Sequence, residues 1–283
     1  MSGQVIRLGL IGDNIAASQS PRLHRLAGQL CGLDVSYERL VPPQRGEDFE
    51  TTFQWCRDQG FTGLNITYPY KERVVPLLQV PDAAIAAVGA CNTVLFETTP
   101  PTGFNTDFTG FVGAFQQSFG LDTKPGVVAM VGAGGVGKAV AFGLAKLGCT
   151  HLRIFDRDSA KADGLAAALK TGTTGMCVEV TSTVEDATHG ADGLVNCTPL
   201  GMEGYPGSSV PEPLIPGKKW AFDAVYTPVD TQFLQACAKA NIAILSGYEL
   251  FFHQGVDAFR IFTGVSVDQQ RLREDLSKPS ERV

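Results

Sequence analysis

The sequence predicts an α/β protein made of two successive strand–helix series. Three observations carry that prediction. Short apolar runs alternate with amphipathic stretches along most of the chain, the pattern of mostly parallel sheets with helices on both faces. The alternation restarts after residue 106. Past that point an apolar run, "VVAMV", leads through a glycine cluster into an Ala-rich stretch, which is the order strand, tight turn, helix. The 283 residues suit two domains or one large one, and 44% of them are apolar, enough for a sizeable core.

In the first series "IRLGLIG" reads as a strand ending in glycine. "SPRLHRLAGQLCGL" reads as a helix, with Ser20 as its N-cap, Pro21 at the first helical position, and a stripe of Leu23, Leu26, Ala27 and Leu30. "VSYERLVP" is the second strand, "FETTFQWCRDQGF" a helix and "TGLNITYP" the third strand. "YKERVVPLLQV" reads as a helix, "DAAIAAVGA" as a short helix, and "CNTVLFETTPPTGFNTD" as a hairpin with Pro100 and Pro101 in its loop.

The second series opens with "TDFTGFVGAFQQSFG", a helix with Phe108, Phe111, Val112 and Phe115 on one side. The glycine-linked strand and helix follow, then the strand "HLRIFDRD" and the helix "SAKADGLAAALK" with Ser159 near its start. "CVEVTS", "GLVNCT", "WAFDAVY" and "AILSG" supply further short strands. "YELFFHQGVDAFRIFTG" and "SVDQQRLREDL" are the last helices.

Composition narrows the function classes. A net charge of −6 argues against broad nucleic-acid binding, which needs a basic face. The seven cysteines, Cys31, Cys56, Cys91, Cys149, Cys177, Cys197 and Cys237, form no CxxC pair, so they read as reduced thiols of a cytoplasmic protein. The N-terminal run is a strand with an arginine in it, not a signal peptide, and no apolar run is long enough to span a membrane. His24, His151, His189 and His253 are too dispersed for a metal site.

Gly132, Gly134 and Gly137 stand in the G-x-G-x-x-G arrangement, with Ala133, Gly135 and Val136 between them. Placed between an apolar strand and a helix, this is the dinucleotide fingerprint. The first glycine permits the turn, the second lets a pyrophosphate approach the backbone, and the third lets helix pack on strand. About twenty residues on, Asp156 ends the next strand, where a carboxylate accepts from ribose hydroxyls and repels a 2′-phosphate. That favours NAD. Arg157 and Lys161 nearby leave NADP as the alternative.

The first half holds a polar set. Ser18 and Ser20 stand at a helix start, where hydroxyls and N–H groups suit a carboxylate, although helix capping explains Ser20 equally well. Asn65 and Thr67 share one face of a strand, and Lys71 lies just past it. Asn92, Asn105, Thr106 and Asp107 add further amide, hydroxyl and carboxylate groups. Together they point to a polyhydroxylated ligand.

The motifs "SQSPRLH", "GLNITYPYK", "GACNTV", "NTDFTGF", "VGAGGVGKA", "NCTPLGM", "DAVYTPVDT" and "HQGVDAF" occur in order over nearly the whole chain. In this the sequence resembles the shikimate dehydrogenase family, including its quinate/shikimate branch. The resemblance implies a substrate-binding domain, 1–106 completed by 247–283, with a Rossmann NAD(P)-binding domain, 107–246, inserted into it. It implies Lys71 and Asp107 as the catalytic pair and Ser18, Ser20 and Tyr226 as contacts to a substrate carboxylate. Asn65, Thr67, Asn92 and Gln254 match contacts to substrate hydroxyls or positions beside them. Thr198, Pro199 and Leu200 border the nicotinamide, with Val225 and the backbone of Gly247 near it. The implied reaction is reversible oxidation of a ring hydroxyl of shikimate or quinate, in a monomer or homodimer. Whether Lys71 is the acid/base, or a charged group beside which Asp107 relays the proton, is open from sequence. The chain departs from the common pattern at Glu249 and Leu250, and "FDRD" replaces the Asn-Arg-Thr of NADP users. Both suggest a side branch with altered cofactor or substrate, an amino analogue included. Folate-linked methylene dehydrogenases share the outline but lack "SQSP" and "NTDFTGF". A sensor without turnover would have no need of both Lys71 and Asp107.

Overall fold

The alternating runs fold as two separate sheets. A computed structural model, which describes residues 5–279, divides into two compact units. One holds the chain up to Thr106 and again from Gly255 onward; the other is Asp107–Gln254.

The first unit contains β1 (Ile6–Ile11), α1 (Ser20–Leu30), β2 (Val35–Leu40), α2 (Pro42–Arg45), α3 (Phe49–Asp58), β3 (Gly63–Ile66), α4 (Ala83–Val88), β4 (Thr93–Leu95) and β5 (Thr102–Phe104). The strands order as β2-β1-β3-β4-β5. β1 pairs parallel with β2 and β3, whereas β3–β4 and β4–β5 are antiparallel. Side chains alternate across this sheet. Leu8, Leu10 and Tyr37 pack on one face with Ala258 and Phe262. Ile11, Leu40, Leu64 and Ile66 pack on the other with Phe49, Phe53 and Val74. Burial on both faces explains why the strands read as nearly continuous apolar runs.

Two local expectations are corrected. Ser20 is the first helical residue of α1, and Gln19 is its N-cap. The Ser18 hydroxyl accepts from the Ser20 N–H at 3.3 Å, which takes up one donor of the first turn. The stretch expected as the helix "YKERVVPLLQV" forms only a 3₁₀ turn at Val75–Leu77. Pro76 lacks an N–H and biases Val75 away from the α conformation, so a longer helix cannot propagate there.

The second series begins with α5 (Thr106–Phe119), then β6 (Val127–Val131), α6 (Gly135–Lys146), β7 (His151–Phe155), α7 (Ser159–Gly172), β8 (Cys177–Val180), α8 (Val184–Thr188) and β9 (Gly193–Asn196). β10 (Trp220–Asp223), α9 (Gln232–Lys239), β11 (Ala243–Leu245), α10 (Gly247–Thr263) and α11 (Gln269–Ser277) follow. The six strands order as β11-β10-β9-β6-β7-β8, and every pair is parallel. This is the Rossmann order, with its switch point between β6 and β9. The expected phenylalanine side of α5 forms part of the core: Phe111 meets Phe222 edge-on at 5.0 Å and Phe115 meets Trp220 at 5.1 Å.

The chain leaves the second unit within α10, between Gln254 and Gly255. The contacts explain why. The Phe251 ring stacks on Tyr226 at 5.1 Å, and a Cβ on Gly110 would meet the Gln254 backbone at 2.7 Å. One residue later, a Cβ on Gly255 would meet Leu23 at 2.6 Å.

Gly193 on β9 lies against Trp220: a Cβ there would fall 2.2 Å from the indole. The ring is 5% exposed and its Nε1 donates to the Pro125 carbonyl at 3.0 Å, a bond it would have to give up to retreat. Gly193→Ala is expected to lower stability by about 1–3 kcal/mol, the range of overpacked cores. Urea unfolding checks this; an unchanged midpoint would mean that the indole is not held.

Candidate active site

In the first unit the polar residues gather at the ends of β3 and β4. Asn65 is the third residue of β3 and is 6% exposed. Its Oδ1 accepts from the Tyr37 hydroxyl at 2.8 Å, and its Nδ2 donates to Thr93 Oγ1 at 3.1 Å. Asn92, just before β4, is buried too. Its Oδ1 accepts from the Thr106 N–H at 2.7 Å and lies 3.1 Å from the hydroxyls of both Thr93 and Thr106. Donors crowd that oxygen, so the amide cannot flip.

Lys71 follows β3 on a turn that is tied down at both sides. Its carbonyl accepts from Cys91 N–H at 2.8 Å. The neighbouring Tyr70 is buried and its hydroxyl donates to Asp13 at 2.5 Å, while Asp13 N–H donates to the Tyr68 carbonyl. Burial, then that bond to Asp13, pushes the Tyr70 hydroxyl up to about 12, so it stays a donor. Thr67 is half-buried on the same turn, and a Cβ on Gly12 would strike its methyl group at 2.3 Å. The loop after β1 therefore packs directly on the turn that carries Lys71. Ser18 and Ser20 lie at the end of this loop with their hydroxyls 3.2 Å apart. Arg39, from β2, donates to the Ser18 carbonyl at 2.8 Å and places a cation beside them.

The second unit carries the glycine loop at the carboxyl end of β6. Gly132 has φ +100°, and a Cβ on it would lie 2.7 Å from the Cys197 backbone. A Cβ on Gly137 would lie 2.4 Å from the Gly132 carbonyl. Gly134 is different: a Cβ there meets nothing within 4 Å, so it borders open space in front of the α6 N-terminus. That is the cradle a pyrophosphate needs. Asp156, after β7, is fixed across the loop. Its Oδ2 accepts from Ala133 N–H at 2.8 Å and its Oδ1 from Asp158 N–H at 2.9 Å. Lone pairs remain on both oxygens for ribose hydroxyls. Arg157 is exposed, and Lys161 is 3.8 Å from Asp158. These residues fit NAD.

A buried network closes the far side of this edge. Asn196 ends β9 and Asp223 ends β10, both fully buried. Asn196 Nδ2 donates to Asp223 at 2.9 Å and to the Leu200 carbonyl at 3.1 Å, while its Oδ1 accepts from the Thr198 N–H and hydroxyl. Asp223 also accepts from Val225 N–H at 3.0 Å and from the Thr231 hydroxyl at 2.6 Å. Burial raises the Asp223 carboxyl to about 6 despite these three donors. Gly247 approaches the same turn so closely that a Cβ would sit 2.5 Å from the Val225 carbonyl.

Known proteins give these two arrangements a context. Residues 10–94 match the family model for the shikimate dehydrogenase substrate binding domain. A quinate/shikimate dehydrogenase (NAD(+)) of Corynebacterium efficiens is 38% identical over 279 residues, covering 96% of this chain and 98% of that relative. This chain belongs to the shikimate dehydrogenase family. Among solved structures, a quinate dehydrogenase of Corynebacterium glutamicum in complex with NAD matches with TM-score 0.88 at 36% identity, covering 97% of this chain and 99% of that one. A shikimate 5-dehydrogenase of Thermus thermophilus in complex with NADP(H) and shikimate matches with TM-score 0.83 at 31% identity, covering 95% and 98%.

Of the residues that match the family's motifs, Ser18, Ser20, Asn65, Thr67, Lys71 and Asn92 belong to the first unit. Asp107, Tyr226 and Gln254 belong to the second, with Gly132–Gly137, Asp156, Arg157, Thr198, Pro199, Leu200, Val225 and Gly247. Sequence reasoning missed Tyr37, Arg39, Asn196, Asp223 and Thr231. A polar residue closing an apolar strand, as in "GLVN" and "WAFD", was the available signal for Asn196 and Asp223. No local signal joins Tyr37 to Asn65, because the contact is between β2 and β3, which lie on opposite sides of β1.

His24 belongs to the support of this site. It is 1% exposed, stacks on Tyr37 at 5.0 Å, and its Nδ1 has no partner. Burial lowers its pKa to about 3, against the opposing effect of a hydrogen bond with Asn65. Below pH 6.5 the unfolded chain therefore takes up a proton that the folded chain refuses, and stability falls. Between pH 6.5 and 5 this one group is expected to cost about 2 kcal/mol. His24→Phe is expected to remove that part of the acid sensitivity; equal losses in both proteins, measured by urea unfolding at the two pH values, would contradict it.

Proposed function

We propose that this chain oxidises a ring hydroxyl of quinate or shikimate to 3-dehydroquinate or 3-dehydroshikimate, with NAD as hydride acceptor and NADP as the alternative. The observation that carries it is Asp156, a carboxylate held by two backbone N–H groups across the glycine loop of a six-stranded parallel sheet. A carboxylate so held supports this reading, since it can accept from ribose hydroxyls and would repel a 2′-phosphate. The named activities of the Corynebacterium relatives supply the acid.

In this reading the first unit binds the acid and the second binds the dinucleotide. Ser18 and Ser20, with Arg39 beside them, receive the carboxylate, and Tyr226 contributes a further contact. Thr67, Asn92 and Gln254 meet the ring hydroxyls, and Asn65 holds the frame on which Asn92 and Thr93 rest. Oxidation removes a proton from the hydroxyl oxygen and a hydride from its carbon. Bound NAD supplies the nicotinamide C4 that accepts the hydride. Lys71 takes the hydroxyl proton and returns it in the reverse direction, and Asp107 is the second catalytic group. The cysteines, none of them paired among the described residues, suit a reducing cytoplasm. We read the enzyme as a monomer or homodimer.

Initial rates of nicotinamide reduction with each acid and each dinucleotide test the reading. Turnover with NAD on either acid is the expected outcome. Binding without turnover in all four pairs would turn the reading toward an amino analogue or a sensor. Lys71→Ala is expected to lower kcat by about 10²–10⁴-fold with KM changed only a few-fold. A large rise in KM at unchanged kcat would instead make Lys71 a binding residue. Asp156→Ala is expected to cut the kcat/KM preference for NAD over NADP by about tenfold, the worth of one lost hydrogen-bonded contact of this kind. An unchanged ratio would remove Asp156 from cofactor choice.

A further inference from the structure

We propose that Asp223 is the positioning residue for the nicotinamide end of the cofactor, holding the turns after β9 and β10 in the register that the ring requires. This rests on the dinucleotide reading above and deepens it.

Asp223 is fully buried, and its three donors are neutral: the Asn196 amide, the Val225 N–H and the Thr231 hydroxyl. A buried carboxylate without a cation is costly, and an apolar residue of similar size would serve a purely structural core better. What the carboxylate provides is connection. Through Asn196 it fixes Thr198 and Leu200, whose backbone and hydroxyl are bonded to that amide and to each other. Through the Val225 N–H it fixes the turn on which Gly247 rests. Through Thr231 it fixes the start of α9, where the same hydroxyl accepts from Leu234 N–H at 3.2 Å.

Thr198, Leu200, Val225 and Gly247 of the nicotinamide side are therefore within one or two hydrogen bonds, or one hydrogen bond and a close backbone approach, of Asp223. The adenosine side, Asp156 with Ala133, is not; between the two ends, a Cβ on Gly132 of the glycine loop would lie 2.7 Å from the Cys197 backbone and 2.9 Å from the Thr198 methyl group. Asp156 and Ala133 make their own pair at the end of β7 and β6. In the sheet β10 is separated from β6 by β9, and β7 lies beyond β6. A defect at Asp223 should thus be felt most strongly at the nicotinamide end of the dinucleotide. Neither Asp223 nor Thr231 need touch the cofactor for this; they act through the turns.

The test compares NAD with ADP-ribose, which lacks the nicotinamide, by calorimetric titration of the full chain. In Asp223→Ala, NAD affinity is expected to fall about tenfold or more, as when a buried polar set loses its shared acceptor. ADP-ribose affinity should stay within about twofold, since its contacts are made elsewhere. Asp223→Asn keeps one acceptor oxygen and offers an N–H to Thr231, so it should recover most of the loss. Thr231→Val, which removes one donor and leaves the carboxylate, is the second variant if Asp223→Ala does not fold. It should weaken NAD selectively in the same sense. Equal weakening of both ligands would make the network a general support of the fold and overturn the proposal, as would unchanged NAD affinity in folded variants. If the unaltered protein bound neither ligand, the dinucleotide reading would fall and take this proposal with it.

Discussion

Burial of both faces of each sheet is the constraint on which the rest of the structure depends. Leu8 and Leu10 face one side of the first sheet and Ile11 and Leu64 the other, all of them buried. The central strands of the second sheet are similarly closed, with β9 and β10 buried at every position. Apolar layers of this kind leave polar side chains only the strand ends, and there only with their hydrogen bonds met. Polar residues have collected at those ends in each unit by itself: Asn65 beside Asn92 in one, Asn196 beside Asp223 in the other.

The two polar networks solve the same problem with different chemistry. In the first unit the buried histidine stays neutral because burial lowers its pKa to about 3. In the second a carboxylate is retained and burial raises it to about 6. The signs of their pH effects are opposite. His24 makes the fold less stable as pH falls from 6.5. Asp223 takes up a proton in the folded state first, so it makes the fold more stable as pH falls from about 6 to 4, by about 2 kcal/mol. Acid response thus differs between the two units by construction.

Cofactor choice shows how a short segment is decided by its surroundings. "FDRD" offers an acid and an arginine side by side. In the fold, backbone N–H groups hold the Asp156 carboxylate toward the glycine loop, Arg157 is exposed, and Lys161 approaches Asp158. In the proposed reading, a fixed carboxylate outweighs an exposed cation that must be ordered before it can act.

The sequence by itself determined the α/β class, nearly all the elements, the glycine loop and the strand-end motifs, because these depend on periodicity and on residues close together along the chain. It misjudged "YKERVVPLLQV", where the apolar spacing suggested a helix but Pro76 removed an N–H that helix would use. It placed Ser20 as a cap, although Ser18 supplies the hydroxyl. Only the tertiary structure decided which polar residues are supports. Tyr37 reaches Asn65 from across β1, and Thr231 reaches Asp223 from the next helix. It also decided that the first half of α10 belongs with the second unit, through the Tyr226–Phe251 stack and the close approach at Gly110. Such contacts join residues distant in sequence, and no local pattern specifies which pair will meet once the sheets have formed.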